Sequence, residues 1–192
     1  MSGFFPVFLN MDSKKVLIVG GGKIAADKLT HMLDFTKNIT VLSPRIDKRT
    51  KELIEKHSLK YIQKEYQKGD IEGFFIVITA VDDIKVQEEI FKESENRKIF
   101  CNSVDSVDYC DFIYPSYIKR GDLTIAISTS GASPAFSKHL RIFLQKVIPK
   151  SVEEFLKKMR DIRKKLPKGK ERMKILDQKA KDFVEEFMKE GK

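Results

Sequence analysis

Three consecutive glycines follow a run of four apolar, β-favouring residues at 16–19, and a helix-forming segment follows them. A strand, a tight turn and a helix N-terminus in this order direct backbone N–H groups at an anion. In this spacing Gly20 permits the turn, Gly22 lets the backbone approach a phosphate, and Ala25 lets helix and strand pack closely. The pattern favours a site for the pyrophosphate of a dinucleotide over an ordinary glycine-rich turn. The cofactor-binding residues predicted here are Gly20, Gly21, Gly22, Lys23 and Ile24.

The end of the second predicted strand bears on which dinucleotide is bound. A site that holds NAD by its ribose hydroxyls usually has Asp or Glu at this point. This chain has Ser43, Pro44 and Arg45 there instead, and we include all three among the predicted cofactor-binding residues. Arg45 is either a contact for the 2′-phosphate of NADP or a surface arginine, and the residues alone leave both open.

Two further strand ends carry residues at the edge where open α/β sheets bind their ligands. Thr79 ends the apolar run 74–79 and Ala80 follows it, and both are predicted to contact the cofactor. The alternative for Asp82 and Asp83, which come next, is that they cap the following helix. Asp105 follows the next strand. A carboxylate beside a cofactor cleft acts as a general base or orients a substrate, and the alternative for Asp105 is a turn residue.

A serine-rich loop at 128–134 joins hydroxyl groups and a flexible glycine to the start of a helix. This combination suits a carboxylate or a phosphate, and the alternative is an ordinary capped loop. The three histidines are scattered over helical positions without ligand or triad spacing, so no metal site is predicted. The substrate-binding residues predicted in the loop are Ser128, Thr129, Ser130, Gly131 and Ser133.

The elements that position these residues alternate as βαβ units do. Strands are predicted at 15–19, 39–42, 60–63, 74–79 and 99–102, with helices at 24–33, 47–57 and 84–96. Because the connections are short and the run at 74–79 is continuously apolar, we expect an α/β domain with a Rossmann-type, doubly wound parallel sheet. We assign this dinucleotide-binding domain to residues 1–112.

The pattern changes after about residue 111. Strands are predicted at 112–117 and 123–129, and Ser133-Pro134 opens a helix that stops near Pro149. These elements form a small α+β segment at 113–149. Two apolar stripes with helical spacing then predict a C-terminal helical module at 150–192. The stripes are Phe155, Met159 and Ile162, and Met173, Leu176, Ala180, Phe183 and Phe187.

The composition restricts the function classes. The chain has 192 residues and a net charge of +9, of which residues 150–192 contribute +6. A basic segment suits nucleic acid, an anionic membrane surface or a polyanionic small molecule, or it is simply a solvated helical face. No apolar run approaches the ~20 residues that a membrane span needs. The spacing of Cys101 and Cys110 matches no zinc pattern, and we expect reduced thiols and a cytoplasmic location.

Taken together, six segments resemble the precorrin-2 dehydrogenase or siroheme synthase N-terminal family, in order and over nearly the whole chain. The segments are 5–8, 16–25, 79–83, 100–105, 112–116 and 127–134. The resemblance implies NAD-dependent oxidation of precorrin-2 to sirohydrochlorin, with Asp105 as the key catalytic residue and the serine-rich loop beside the substrate cleft. It implies a homodimer that exchanges contacts through about 113–148. Members use NAD without an acidic ribose ligand, which favours NAD, with NADP as the alternative.

Two questions stay open at this stage. Some members also insert ferrous iron into sirohydrochlorin, so iron enters only as a substrate, and the sequence does not decide whether this chain does so. The alternative to an enzyme is a non-catalytic, NAD-binding redox-sensing or assembly module. A nucleic-acid partner is disfavoured because the aromatics of 150–192 lie on apolar stripes and do not alternate with basic residues.

Overall fold

The computed structural model describes residues 3–104 and 106–190. The chain divides into two compact units, one formed by Phe4–Ile113 and the other built from Tyr114–Lys192. Among the described residues, no helix is both long and apolar enough to cross a lipid bilayer.

The described part of the first unit has five strands and three α-helices, which alternate except that the fourth strand follows the third directly. They are β1 Val16–Val19, α1 Lys23–Leu33, β2 Ile39–Leu42, α2 Lys48–His57, β3 Lys60–Ile62, β4 Ile76–Thr79, α3 Ile84–Arg97 and β5 Phe100–Ser103. The strands form one parallel sheet in the order β3-β2-β1-β4-β5, so the predicted doubly wound sheet is confirmed. Val16 pairs with Ile39 on one side and with Ile76 on the other.

The sheet is buried in the manner that its apolar runs predict. Every residue of β1, β2 and β4 is buried, as expected of parallel strands covered by helices on both faces. The helices seal the faces with side chains such as Leu29 of α1 and Ile90 of α3, both fully buried. The core cluster on one face consists of Leu17, Val19, Leu42, Ile71, Val77, Ile90, Ile99 and Cys101.

The strand order fixes where a ligand would bind. The chain builds β2 and β3 on one side of β1 and then returns to build β4 and β5 on the other side. This reversal creates a crevice at the carboxyl ends of β1 and β4, which is where open α/β sheets bind their ligands. Gly20, Ser43, Ala80 and Val104 are the residues that directly follow β1, β2, β4 and β5 at this edge.

The second unit holds a two-stranded antiparallel hairpin and three helices. They are β6 Ser116–Arg120, β7 Leu123–Ile127, α4 Pro134–Val147, α5 Val152–Lys165 and α6 Lys170–Glu190. The stacked rings of Phe155 and Phe183, with centroids 4.1 Å apart, join α5 to α6. The ring of Phe187 packs on Phe183 at 5.9 Å, so residues of both predicted apolar stripes form this helix contact.

The hairpin differs from the predicted strands. The predicted strand at 112–117 is wrong in position, because β6 begins at Ser116, directly after Pro115, which has no N–H to donate to a ladder. Arg120 pairs with Leu123, so the turn is shorter than predicted. The Arg120 guanidinium donates to the carbonyls of Gln145, at 2.6 Å, and Ile148, which holds this end of β6 against α4.

Candidate functional site

The glycine turn after β1 is held against the end of β4. Gly20 has φ +124°, a conformation that L side chains rarely adopt, and its N–H donates to the Leu42 carbonyl at 2.9 Å. A Cβ atom on Gly20 would lie only 2.2 Å from the carbonyl oxygen of Ala80. The Ala80 N–H donates to the Val19 carbonyl at 2.7 Å. The turn therefore requires glycine at its first position for two independent reasons.

The start of α1 offers an anion site. Gly22 is the N-cap residue and has no side chain to accept a hydrogen bond from the first turn, and that turn contains no acidic residue. A Cβ on Gly22 would meet no atom of the described residues within 4 Å, and Lys23 and Ile24 are exposed beside it. Open N–H groups and the positive end of the helix dipole favour a phosphate here. These residues fit the pyrophosphate of a dinucleotide.

The loop after β2 lies directly on the glycine turn. A Cβ on Gly21 would be 2.2 Å from the carbonyl oxygen of Arg45, and the Asp47 N–H donates to the Gly21 carbonyl at 2.8 Å. Ser43 is buried and its hydroxyl donates to the Arg45 carbonyl at 2.6 Å, whereas Pro44 and Arg45 are exposed. Sequence reasoning missed that Gly21 is needed for this approach, since no local signal marks a contact with a loop 24 residues away.

A cavity of about 230 Å³ lies at the ends of β4 and β5. Thr79 is fully buried and its carbonyl accepts from the Val104 N–H at 2.9 Å, so of the two predicted residues only Ala80 lines the cavity. The carboxylate of Asp83 accepts from Lys85 N–H at 2.9 Å, which confirms the capping alternative for this residue. The lining residues are Ile24, Ala80, Val81, Asp82, Ile84, Gln87 and Val104.

Gln87 was not predicted from the sequence. It is 6% exposed, lines the cavity, and donates from its side-chain amide to the Val81 carbonyl at 2.7 Å. This bond connects α3 to the loop that follows β4 and so stabilises the wall of the cavity. A glutamine one turn into an amphipathic helix carries no sequence signal for such a role.

Asp105 lies outside the described residues, so its predicted role stays a prediction. Its neighbour in sequence, Val104, lines the cavity. Asn102, near the end of β5, is 5% exposed and donates from its side-chain amide to the Phe112 carbonyl at 2.8 Å. This bond fixes the path of the chain as it leaves the sheet.

The two thiols are not activated nucleophiles. Burial raises the pKa of the Cys101 thiol to about 11, against the opposite effect of the neighbouring Ser94, Thr79 and Ser103 hydroxyls. Burial also raises the pKa of Cys110. Both cysteines are free, and within 3–104 and 106–190 no group of three His, Cys, Asp or Glu residues is arranged to hold a metal ion.

The serine-rich loop is folded by its own hydroxyl groups. The Thr129 hydroxyl accepts from the Ser133 N–H at 3.0 Å, and the Ser133 hydroxyl accepts from the Phe136 N–H at 3.2 Å, capping α4. Ser128 is exposed and its hydroxyl accepts from Ser130 N–H at 3.0 Å. Gly131 has φ +87°, and a Cβ built on it would meet no atom of the described residues within 4 Å. The capping alternative therefore holds for Ser133, while Ser128 keeps its hydroxyl proton for another acceptor.

A family model described as putative NAD(P)-binding matches residues 7–116, and one described as sirohaem biosynthesis protein central matches residues 120–145. A siroheme synthase of Mannheimia succiniciproducens is 34% identical over 146 residues, which are 76% of this chain and 31% of that protein. A siroheme synthase of Methylococcus capsulatus is 32% identical over 163 residues, 85% of this chain and 34% of that protein.

The chain thus spans about a third of the length of these curated relatives. The solved structure of the precorrin-2 dehydrogenase SirC superposes with a TM-score of 0.78 at 25% identity, covering 97% of this chain and 100% of that one. The match of the first family model extends over more than half of the sequence. The chain belongs to this NAD(P)-binding family, and its resemblance to the precorrin-2 dehydrogenase and siroheme synthase N-terminal proteins is confirmed.

Proposed function

We propose that this protein is an NAD-dependent oxidoreductase that converts precorrin-2 to sirohydrochlorin in sirohaem biosynthesis. The observation that carries the proposal is the likeness to the precorrin-2 dehydrogenase SirC, which extends over nearly all of both chains. The siroheme synthase relatives and the sirohaem-specific match at 120–145 support the same pathway. A dinucleotide site at the carboxyl edge of the sheet provides a place for the NAD that this oxidation requires.

The residues of the glycine turn and α1 hold the cofactor in this proposal. The uncapped N–H groups after Gly22 would bind the pyrophosphate, and the loop at 43–45, which packs on the glycine turn, would contact the adenosine half of the cofactor. When bound, the nicotinamide accepts a hydride from the substrate. Ala80, Val81 and Gln87 line the cavity at the end of β4 and would hold the nicotinamide there. The protein contributes mainly orientation, which lowers the entropic part of the barrier.

The oxidation releases a proton together with the hydride, and we assign the proton to Asp105 or to a water molecule beside it. A carboxylate within reach of the reacting carbon suits this role, because proton removal then accompanies hydride loss. Val104, which precedes Asp105 in the chain, lines the cavity, and this supports the assignment. Cys101 is unsuited to act as the base. Its thiol is buried, and this burial raises its pKa to about 11.

The second unit is proposed to receive the carboxylates of the macrocycle. Ser128 offers a hydroxyl donor, and residues 150–192 add a net charge of +6 that attracts a polycarboxylate. The apolar side chains of Phe136 and Phe143 are each 59% exposed on α4. We propose that they pack in a homodimer formed through about 113–148.

We further propose a cytoplasmic location, which two free cysteines support, since reducing compartments keep thiols unpaired. Ferrous iron is a substrate at most in this account. Any insertion of iron would rely on the macrocycle nitrogens as ligands.

An anaerobic assay tests the proposal. The purified protein is incubated with precorrin-2 and NAD, and the absorbance of sirohydrochlorin is followed with and without ferrous iron. Sirohydrochlorin formation that requires both protein and NAD supports the function, and a further spectral change on adding iron supports chelation. Binding of NAD without any oxidation of precorrin-2 would instead favour the redox-sensing or assembly module.

A further inference from the structure

The chain that leaves β5 returns to it a few residues later. Asn102 of β5 forms an isolated antiparallel bridge with Cys110. The Asp111 N–H donates to the Cys101 carbonyl at 2.9 Å, and the Cys101 N–H donates to the Asp111 carboxylate at 2.8 Å. The residues between these contacts, 103–109, therefore form a closed loop, the β5 loop.

The thiol of Cys110 contacts the β5 loop at two points. Its Sγ atom lies 3.2 Å from the carbonyl oxygen of Ser103 and 3.1 Å from that of Ser106. A thiol has one proton to donate, so the two carbonyls share it. The Ser106 carbonyl also accepts from the Tyr109 N–H at 3.3 Å. The two carbonyls that the thiol joins lie on either side of residues 104–105 in the chain.

The Cys110 thiol is suited to hydrogen bonding rather than to reaction. Burial raises its pKa and outweighs the Ser103 backbone and the Lys28 charge, which act in the opposite direction. The thiol therefore keeps its proton at neutral pH and donates it to the loop. The side-chain amide of Asn102 donates to the same Sγ atom at 3.4 Å, so the sulfur is also held from the side of β5.

The chain is fixed on both sides of Asp105. On one side, the Val104 N–H donates to the Thr79 carbonyl at 2.9 Å, and Val104 lines the cavity. On the other side, the Ser106 carbonyl lies on the Cys110 thiol. The first contact is part of the sheet edge, whereas the second depends on a single side chain.

We propose that Cys110 is a positioning residue, whose thiol holds the β5 loop so that Asp105 keeps its place beside the cofactor cavity. A general base must stay within hydrogen-bond reach of the proton that it removes, and a displacement of about 1 Å lowers a rate by up to about 100-fold. The inference rests on the role of Asp105 in the proposed function, but the restraint on the loop is measurable without any substrate.

Three variants of Cys110 test whether its proton matters. Cys110→Ala and Cys110→Val both remove the donor, one reducing and one keeping the side-chain volume, while Cys110→Ser retains a donor. We expect the first two to lower kcat about tenfold with the KM for NAD within about twofold, and the serine variant to stay within about threefold of the wild type. Equal losses of kcat in all three variants, or none in any, would overturn the inference.

A double-mutant cycle separates positioning from a general loss of structure. If Cys110 acts through Asp105, Cys110→Ala lowers kcat about tenfold in the wild-type background and less than about twofold in the Asp105→Asn background. A tenfold loss in both backgrounds would overturn the inference, because the thiol would then act independently of the carboxylate.

Hydrogen exchange tests the loop restraint without turnover. We expect the amide protons of Val104 and Tyr109 to exchange about tenfold faster in Cys110→Ala, while that of Ile18 in the centre of the sheet is unchanged. Unchanged exchange in the loop would overturn the inference. Faster exchange in a protein whose wild type does not oxidise precorrin-2 would support the restraint and remove only the proposed function.

Discussion

The carbonyl oxygen of Ala80 lies 2.2 Å from the position that a Cβ atom on Gly20 would take, so the ends of β1 and β4 touch without room for a side chain. Two residues later, a Cβ atom on Gly22 would have no atom within 4 Å among the residues that the structure describes. Within one turn, the first glycine is therefore required by the fold, and the third leaves the space that a cofactor needs.

Replacing Gly20 and Gly22 by alanine, one at a time, distinguishes an effect on folding from an effect on cofactor binding. Gly22→Ala is expected to cost less than about 1 kcal/mol of stability, the usual cost of a poorer N-cap, yet to weaken NAD binding at least about tenfold. Gly20→Ala must move the Ala80 backbone and is expected to lower the unfolding free energy by about 3 kcal/mol. Thermal unfolding and calorimetric titration with NAD measure the two effects. A Gly22→Ala variant that binds NAD as the wild type does would contradict the site.

Asp105→Asn tests the proposed base. Removing a positioned general base is expected to lower turnover at least about 100-fold at saturating NAD, with little change in NAD affinity. Asp108→Asn, at an exposed position close in sequence, serves as the control and should leave turnover unchanged. An Asp105→Asn rate within about threefold of the wild type, less than ~0.7 kcal/mol of barrier, would rule the role out.

The serine-rich loop at 128–134 is expected to influence the affinity for the substrate. Because Ser128 is exposed and retains a hydroxyl proton to donate, Ser128→Ala is expected to raise the KM for precorrin-2 about tenfold while kcat stays similar. Ser151→Ala is the control, since the Ser151 side chain makes no capping hydrogen bond at the start of α5. If steady-state kinetics gave equal KM values for both variants and the wild type, the loop would not contact the substrate.

The buried carboxylate of Glu93 is expected to make the stability of the fold depend on pH. Burial alone would raise the pKa of Glu93, but hydrogen bonds from the Tyr66 hydroxyl, the Gly69 N–H and the Arg97 guanidinium outweigh it and lower the pKa. The charged form therefore stabilises the fold above the ordinary glutamate pKa of about 4.3, and this contribution is lost as the pH falls below that value.

Glu93→Gln is accordingly expected to lower the unfolding free energy by about 2 kcal/mol at neutral pH. The difference from the wild type should shrink as the pH falls below the ordinary glutamate pKa of about 4.3 and on through the lowered pKa of Glu93 in the folded protein. Denaturant unfolding at several pH values measures it, with Glu95→Gln on the exposed side of α3 as the control. A difference that stays constant across this range would show that the charge of Glu93 is not what stabilises the network.

The parallel sheet could be predicted because its signals are local. β1, β2 and β4 are largely apolar runs bounded by glycine, proline or aspartate residues nearby in the sequence. The sequence predicts β2 at its observed bounds of Ile39–Leu42. The helices of the first unit were predicted to within one residue at each end, since the caps Asp47 and Asp83 are themselves local features.

The rest depends on contacts that bring distant residues together. The apolar stretch at 112–115 was predicted as strand, but the bond from Asn102 to Phe112 directs the chain out of the sheet and β6 starts later. The contact of Gly21 with Arg45 and the bond from Gln87 to Val81 are likewise products of packing. A sequence pattern records which residues can bind a ligand, but not which backbone segments must touch to place them.

We propose that this protein passes a hydride from precorrin-2 to NAD. A single-turnover reaction with excess protein, run anaerobically, tests it by counting reduced nicotinamide and sirohydrochlorin in the same sample. The account predicts equal amounts of the two products, neither of which forms when NAD is omitted. Sirohydrochlorin that appears at the same rate without NAD, or reduced nicotinamide that is absent while the macrocycle is oxidised, would contradict it.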